Sequence, residues 1–501
     1  MNAVPLRWFR ALAFLACLTP LLLTSTLHAD LRGRTQSILN AADLRKTRIG
    51  IYIYDLDRQQ TLVDINGDEP MIPASNMKVL TSAAALQTLG PDFVFRTELR
   101  YLPGGPTAGP RLVIIGDGDP AFGDATLLSR HGLDAEKLLD AWIQAIAATG
   151  VRQFDQIIVD DRVFDDNFVH STWPADQLNQ WYCAQVTGLI FNNNCLDLLP
   201  EPTTPGQTSR VRIWPDAPII SITNRSVTGN ADTFWVSRKA DSNELTFYGK
   251  VKSRRSRPIN VTLHDTPIFF GELIRHRLAS QGIVVNEVIR PAHDAQLPAG
   301  QTLHVIQTTI DQVLDRCNKD SQNLFAESLF KRMGRKVTGQ PGSWENGGAA
   351  MRMFLRQRLG ARSATLSIAD GSGMSRENRI TARTLSDVIV AMARDPQLNR
   401  PFLQSLSVGG KDGTLRNRFT DLKGTVVLGK SGYINKVSTL SGLVIVTDPN
   451  RPQELRTVAF ALMFNDFDPP VYVSHVRDVQ NKLVRMIHEH IQGQMTVPAA
   501  Q

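Results

Sequence analysis

The feature that most constrains this chain is a change of texture that occurs twice. It opens with two short apolar-alternating runs, Ile51 to Leu56 and Thr61 to Ile65, which read as strands. An alanine-rich run without a charge, Val79 to Leu89, follows and reads as a buried helix. From Thr97 to about Gly300 the pattern becomes short strands such as Arg111–Ile115, Gln156–Asp160, Val211–Trp214 and Glu244–Val251. Turn clusters separate them, Pro103-Gly104-Gly105-Pro106 and Pro200 to Gly206 among them. Asp134 to Thr149, with an apolar stripe of Leu138, Leu139, Trp142, Ile143 and Ile146, interrupts as a helix, and Pro267 to Gln281 reads as another. From Thr308 the texture of the opening resumes. Helices are expected over Ile310–Cys317, Ser321–Met333, Ser343–Leu359, Thr381–Arg394 and Pro401–Leu406. Strands follow over Val426–Gly432, Ser438–Thr447 and Thr457–Phe464, and a closing amphipathic helix runs from Pro470 to Ile491. Strands first and strands last predict a mixed α/β (α+β) fold with one sheet completed by both ends of the chain. The division that follows is 30–96 with 301–501 as one domain, and 97–300 as a strand-rich insertion of two subdomains.

The 501 residues suffice for two to four domains. Residues 1–29 read as a secretory signal: Arg7 and Arg10 are basic, Ala11 to Leu23 is apolar, and Leu27-His28-Ala29 offers a cleavage site. An uncleaved anchor is the alternative, against which the apolar run is short for a span. A lipoprotein site at Cys17 fits worse, because Phe14-Leu15-Ala16 is a poor lipobox. The expectation is an exported, periplasmic protein. In such an oxidising compartment Cys183 and Cys195 either close a small loop or stay reduced, and Cys317 is expected as a buried small hydrophobe. The net charge of +7 includes the two arginines of the signal, which leaves +5 on the rest. That excess suits an anionic polymer such as a cell wall, and equally nothing in particular. No basic run has interleaved aromatics, so nucleic acid is not an expected partner. The last ten or so residues read as disordered.

Three short motifs carry candidate chemistry. Ser75-x-x-Lys78 sits between Pro73 and the uncharged run, so a helix start would set Ser75 and Lys78 side by side. Burial disfavours a charged lysine, the condition for using one as a base. The pattern is weak alone, and the chain holds a second copy, Ser328–Lys331, inside a helical stretch. There a serine is expected to bond back to its own helix and a lysine to face water. Ser321-Gln322-Asn323 is the chain's only Ser-x-Asn; by itself it reads as a helix cap. Lys430-Ser431-Gly432 is its only Lys-[Ser/Thr]-Gly; by itself it reads as a guarded strand edge. Other site patterns fail. No serine lies in Gly-x-Ser-x-Gly, Gly116-x-Gly118 lacks its third glycine, and no phosphate-cradling Walker loop exists. His488-Glu489-His490 lacks the spacing of a helical zinc pair and reads as a solvated helix face. No metal and no cofactor is expected.

In this order and context the three motifs form the Ser-x-x-Lys, Ser-x-Asn, Lys-[Ser/Thr]-Gly set of penicillin-binding proteins and class A β-lactamases. Gly116-Asp117-Gly118-Asp119-Pro120, Asp370 to Arg376 (Asp-Gly-Ser-Gly-Met-Ser-Arg), and Asp412-Gly413-Thr414-Leu415 followed by Arg418 look like further family motifs. With the insertion of about 200 residues, the chain resembles the low-molecular-mass class C penicillin-binding proteins, D-alanyl-D-alanine carboxypeptidases/endopeptidases of bacterial cell walls. Gln322 replaces the usual Asp and Ser431 the commoner Thr, which keeps the hydroxyl. The resemblance implies a penicillin-binding-protein/β-lactamase-like transpeptidase domain, an antiparallel sheet flanked by helices. It implies Ser75 as nucleophile, Lys78 as base, Ser321 as proton relay, and Asn323 as orienter of Lys78 and of the substrate amide. Lys430 would favour a neutral Lys78 and attract the substrate carboxylate. Ser431 and Gly432 would bind substrate, and the N–H groups of Ser75 and Tyr433 would hold the oxyanion. The implied partners are peptidoglycan peptides and, as covalent inhibitors, β-lactams. A β-lactamase is the alternative, against which the length and the insertion stand; the Glu-x-x-Leu-Asn element of class A enzymes is absent. A non-catalytic wall-binding protein of the same fold is the other alternative.

Overall fold

The computed structural model describes residues 31–106, 108–448 and 454–495. The expected signal at 1–29 lies outside the described residues, as does the tail beyond 495. Among the described residues no helix is long and apolar enough to cross a membrane. The chain forms two compact units. One comprises the chain up to Leu80, Arg358–Ser367 and everything from Asn378; the other comprises Thr81–Gln357 and Ile368–Glu377.

The first unit is built on a six-stranded antiparallel sheet. Its order is Ser407–Val408, Thr425–Ile434, Val437–Thr447, Leu455–Asn465, Arg48–Asp55 and Gln60–Ile65. Both ends of the chain therefore complete one sheet, because the first two strands dock on the last one. Alternation decides the faces. Val458, Phe460, Leu462 and Phe464 join Ile51 and Ile53 in a core with Val476, Leu483, Val484 and Ile487 of the closing helix Val473–Met495. The opposite face carries small residues so that the helix Ala382–Arg394 can lie close. A Cβ on Gly50 would meet Ala382 Cβ at 3.7 Å and Met71 Sδ at 2.8 Å. Helices on both faces explain why Val437–Thr447 reads as a nearly continuous apolar and small run rather than an alternating one.

The second unit has a five-stranded sheet ordered Val284–Ile289, Gln153–Asp160, Arg111–Ile115, Val94–Leu102 and Gln301–Thr309. Val94–Leu102 and Gln301–Thr309 pair antiparallel, so the chain between them leaves and returns at one place. The helices Ala135–Ala147 and Thr266–Ser280 share its core through Leu139, Trp142, Phe269 and Phe270, and each begins on an aspartate cap, Asp134 and Asp265. Smaller sheets follow, ordered Trp235–Arg238, Glu244–Tyr248, Ser221–Asn224 in one, and Ile259–Thr262, Cys195–Glu201, Arg210–Trp214 in another. Ile310–Lys319, Asn323–Thr338 and Trp344–Leu359 are the helices expected after Thr308.

Two expectations are settled or corrected by packing. Cys183 and Cys195 are free thiols, buried in an apolar cluster with Phe164, Trp173 and Val186. Burial pushes the Cys183 thiol up to about 12 and raises that of Cys195 too, so both behave as hydrophobes. His488 and His490 do not form a solvated face. Both are buried, with only Glu489 between them exposed. His488 Nδ1 bonds the Thr425 hydroxyl at 2.8 Å, and burial holds its pKa below the usual value.

Candidate active site

Ser75 lies in the tight turn Ala74–Asn76, which runs into the helix Met77–Leu89. The helix start expected at Ser75 is thus a 3-10 turn, entered through Ala74 at φ 45°. A left-handed alanine costs roughly 1–2 kcal/mol, and it survives because the sheet fixes the turn on each side. Asn465 accepts from the N–H of Ile72 at 2.8 Å and donates back to its carbonyl at 3.1 Å. Asn76 Nδ2 donates to Thr439 Oγ1 at 2.6 Å, Thr439 donates to the carbonyl of Pro73 at 2.8 Å, and Ser441 donates to Asn76 Oδ1. Asn76, Thr439, Ser441 and Asn465 belong to no short motif, so sequence reasoning missed them. The available signal was an asparagine directly after the serine and polar residues in an otherwise apolar central strand.

Lys78 is fully buried, and its Nζ donates to Ser75 Oγ at 3.1 Å. Lys430 is also fully buried, with its Nζ on the Ser431 carbonyl at 2.7 Å. The strand Thr425–Ile434 passes close to the turn at Gly432, where a Cβ would lie 2.9 Å from Ser75 N and 2.3 Å from Thr439 Oγ1. Only glycine fits there. The next residue, Tyr433, is half exposed under Arg477, 5.6 Å from its ring. On its other side the strand is paired only at Leu428 and Gly429, by Ser407–Val408. Among the described strands, none pairs with Ser431 to Ile434 on that side.

Ser321 and Asn323 lie in the second unit, where Ile310–Lys319 turns into Asn323–Thr338. Ser321 has φ 59°, a strained value for serine, and Asn323 Nδ2 donates to the Tyr182 carbonyl at 2.8 Å. Just before them, Asn318 donates to the hydroxyl of Ser82 at 2.9 Å. Ser82 belongs to the same helix as Lys78.

The second Ser-x-x-Lys copy corrects one expectation. Ser328 does not bond back to its helix; it donates to the Gly118 carbonyl at 2.9 Å. Lys331 does not face water. It is fully buried, donates to Asp165 and to the Asn167 carbonyl at 2.7 Å each, and stands 3.9 Å from the centre of a Trp344 ring. Both residues brace the unit. Beside them Glu327 accepts from the backbone N–H groups of Gly371 and Ser372 at 3.0 and 2.7 Å and from Trp344 Nε1 at 2.9 Å. Asp370 accepts from Trp173 Nε1 at 3.0 Å and from the N–H groups of Gly373 and Ser375 at 2.8 and 2.6 Å. Burial, then the nearby charge of Asp370, pushes the Glu327 pKa up to about 7. These two carboxylates shape the Asp370–Ser375 loop. Among the described residues no group of histidines, cysteines and carboxylates could hold a metal ion.

A serine in the turn that enters a lysine-bearing helix, pressed by a strand of an antiparallel sheet, defines a penicillin-binding type of serine hydrolase. The chain belongs to the D-Ala-D-Ala carboxypeptidase 3 (S13) family, whose model matches residues 31–489. It is 30% identical over 471 residues to a D-alanyl-D-alanine carboxypeptidase of an Actinomadura species, covering 88% of this chain and 82% of that one. It is 24% identical over 426 residues to the D-alanyl-D-alanine carboxypeptidase DacB of Haemophilus influenzae, covering 81% and 85%. The crystal structure of penicillin binding protein 4 (dacB) from Haemophilus influenzae shares the fold with a TM-score of 0.73 at 22% identity, over 91% of this chain and 99% of that one. A predatory peptidoglycan endopeptidase from Bdellovibrio bacteriovorus has a TM-score of 0.50 at 17% identity, over 91% and 95%. The mixed fold with an antiparallel sheet flanked by helices is the one expected from the sequence.

Proposed function

We propose that the chain cleaves D-alanyl-D-alanine stem peptides of peptidoglycan, and cross-links made from them, through an acyl-enzyme on Ser75. The observation that carries this is the Lys78 Nζ to Ser75 Oγ hydrogen bond of 3.1 Å beside the close approach of Gly432. Lys78 takes the hydroxyl proton as Ser75 Oγ attacks the carbonyl between the two D-alanines. The oxyanion rests on the N–H groups of Ser75 and Tyr433, each worth roughly 3 kcal/mol. Ser321 delivers a proton to the leaving amine, Asn323 orients Lys78 and the peptide amide, and Lys430 with Ser431 draws the terminal carboxylate. The peptide lies as an added strand along Ser431 to Ile434. Water then frees the acyl group and regenerates Ser75.

A β-lactam presents the same amide inside a ring, so its amine stays attached and the ester on Ser75 persists. The Haemophilus influenzae protein has also been crystallised with a β-lactam. Residues 30–96 and 301–501 form the catalytic domain, 97–300 the insertion, and residues 1–29 send the chain to the periplasm. Labelling with a fluorescent penicillin and mass spectrometry of the labelled peptide tests the site. Label is expected on Ser75, retained in Ser328→Ala and lost in Ser75→Ala; label on another serine refutes the assignment. Digestion of purified cell wall, scored for free D-alanine against opened cross-links, separates carboxypeptidase from endopeptidase.

A further inference from the structure

Residues 250–257 read Lys-Val-Lys-Ser-Arg-Arg-Ser-Arg, five cations and no acid in eight positions. They lead from the short strand Lys250–Val251 towards Ile259–Thr262, and all five basic residues are exposed. The loop has a defined path. Asp232 accepts from the N–H groups of Lys252 and Ser253 at 2.8 and 3.0 Å and from the Ser253 hydroxyl at 2.7 Å. Arg254 shares Glu201 with Arg212. Lys250, Lys252 and Arg257 form no ion pair among the described residues.

An aromatic pair adjoins this loop. Tyr248 stacks on its cross-strand partner Trp235, with ring centres 4.4 Å apart and planes within 14°, and Trp235 is 54% exposed. The exposed Arg225 lies 6.0 Å from the Tyr248 ring. The run of cations contains no aromatic in sequence; the sheet supplies them from neighbouring strands. Cations gathered with so few acids repel one another, and an external anion relieves that repulsion. The two rings cover each other, so no base or sugar fits between them. Half-exposed amphipathic rings beside a polybasic segment suit the headgroup layer of a bilayer.

We propose that the loop 250–257, with Trp235 and Tyr248, docks the chain reversibly on the surface of a bilayer rich in anionic phospholipid. The partner depends on the export reading, but the surface shares no residue with the Ser75 site. Mature chain purified from an exporting host is floated with vesicles of phosphatidylethanolamine and phosphatidylglycerol, and with vesicles of phosphatidylcholine alone. Binding is expected to the anionic vesicles only, and to be released by high salt. Each Lys or Arg near an anionic leaflet is worth about fivefold in partitioning, so Lys252→Ser/Arg255→Ser/Arg257→Ser should lose on the order of 100-fold. Trp235→Ser should lose severalfold and keep the salt dependence. Penicillin acylation and melting temperature should not move in either variant, which separates this surface from both the catalytic reading and misfolding. Absence of binding, equal binding to both vesicles, or indifference to the triple substitution overturns the proposal. So does binding to soluble polyphosphate as tight as to vesicles with Trp235→Ser without effect.

Discussion

Alanine at Gly432 tests the proposed oxyanion hole through the backbone alone. The added Cβ would stand 2.3 Å from Thr439 Oγ1, 2.9 Å from Ser75 N and 3.1 Å from Asn76 N. Thr439 Oγ1 cannot swing aside, because Asn76 and the Pro73 carbonyl hold it at 2.6 and 2.8 Å. Relief must come from the strand itself, which has to move roughly 0.5–1 Å from the turn to restore ordinary contact. That shift carries the Tyr433 N–H away from the point where it and the Ser75 N–H converge. A misplacement of about 1 Å costs on the order of 100-fold, and a lost oxyanion donor about 3 kcal/mol. The second-order rate of acylation by a fluorescent penicillin, followed by stopped flow, should fall by about two orders of magnitude. The overpacking itself should cost only about 1–3 kcal/mol in denaturant unfolding. Gly493→Ala serves as the control, since a Cβ there meets nothing within 4 Å. A Gly432→Ala chain that acylates within threefold of the parent while folding normally would refute the reasoning.

Asn76→Ala removes the bonds to Thr439 and Ser441; acylation should fall at least tenfold and stability by about 1–2 kcal/mol, read by the same two assays. Lys331→Met removes the cation paired with Asp165 and the donor to the Asn167 carbonyl, so denaturant unfolding should show a loss of about 3 kcal/mol, more than Ser328→Ala loses. Glu327 has a folded pKa near 7 against an ordinary 4.5, so the folded state holds its proton more tightly than the unfolded chain does. Its contribution is full below about 4.5 and is lost as pH rises through about 7, by up to roughly 3 kcal/mol. Glu327→Gln should flatten that slope in unfolding curves taken across pH 4 to 8, at the cost of one mismatched backbone donor.

The sheet was legible because both ends of the chain carry apolar runs of strand length. The contact of Ser75 with Lys78 was legible from spacing, and the interest of Gly432 from its place after a lysine and a hydroxyl. What spacing cannot show is whatever reaches across the chain. Asn76 meets Thr439 over 363 positions, and Asn465 meets Ile72 over 393. The buried histidines of the closing helix were misread for a related reason. Alternating polar residues resemble a wet face until the strand that receives them, here at Thr425, is known.

The two Ser-x-x-Lys copies show where a motif acquires its meaning. Both lysines are fully buried and both serines bond to a neighbour. Yet Lys331 is held by a carboxylate and a carbonyl beneath a tryptophan ring, and Ser328 is spent on the Gly118 carbonyl. Burial lowers the Lys331 pKa and Asp165 opposes that shift, so its ammonium is engaged by a carboxylate rather than by the serine, and Ser328 is committed to a fixed carbonyl. Ser75 instead receives a hydrogen bond from its lysine and is partly open. The same four-residue spacing therefore yields a brace in one place and the proposed nucleophile in the other. The difference lies in what the surrounding fold sets opposite the ammonium and the hydroxyl.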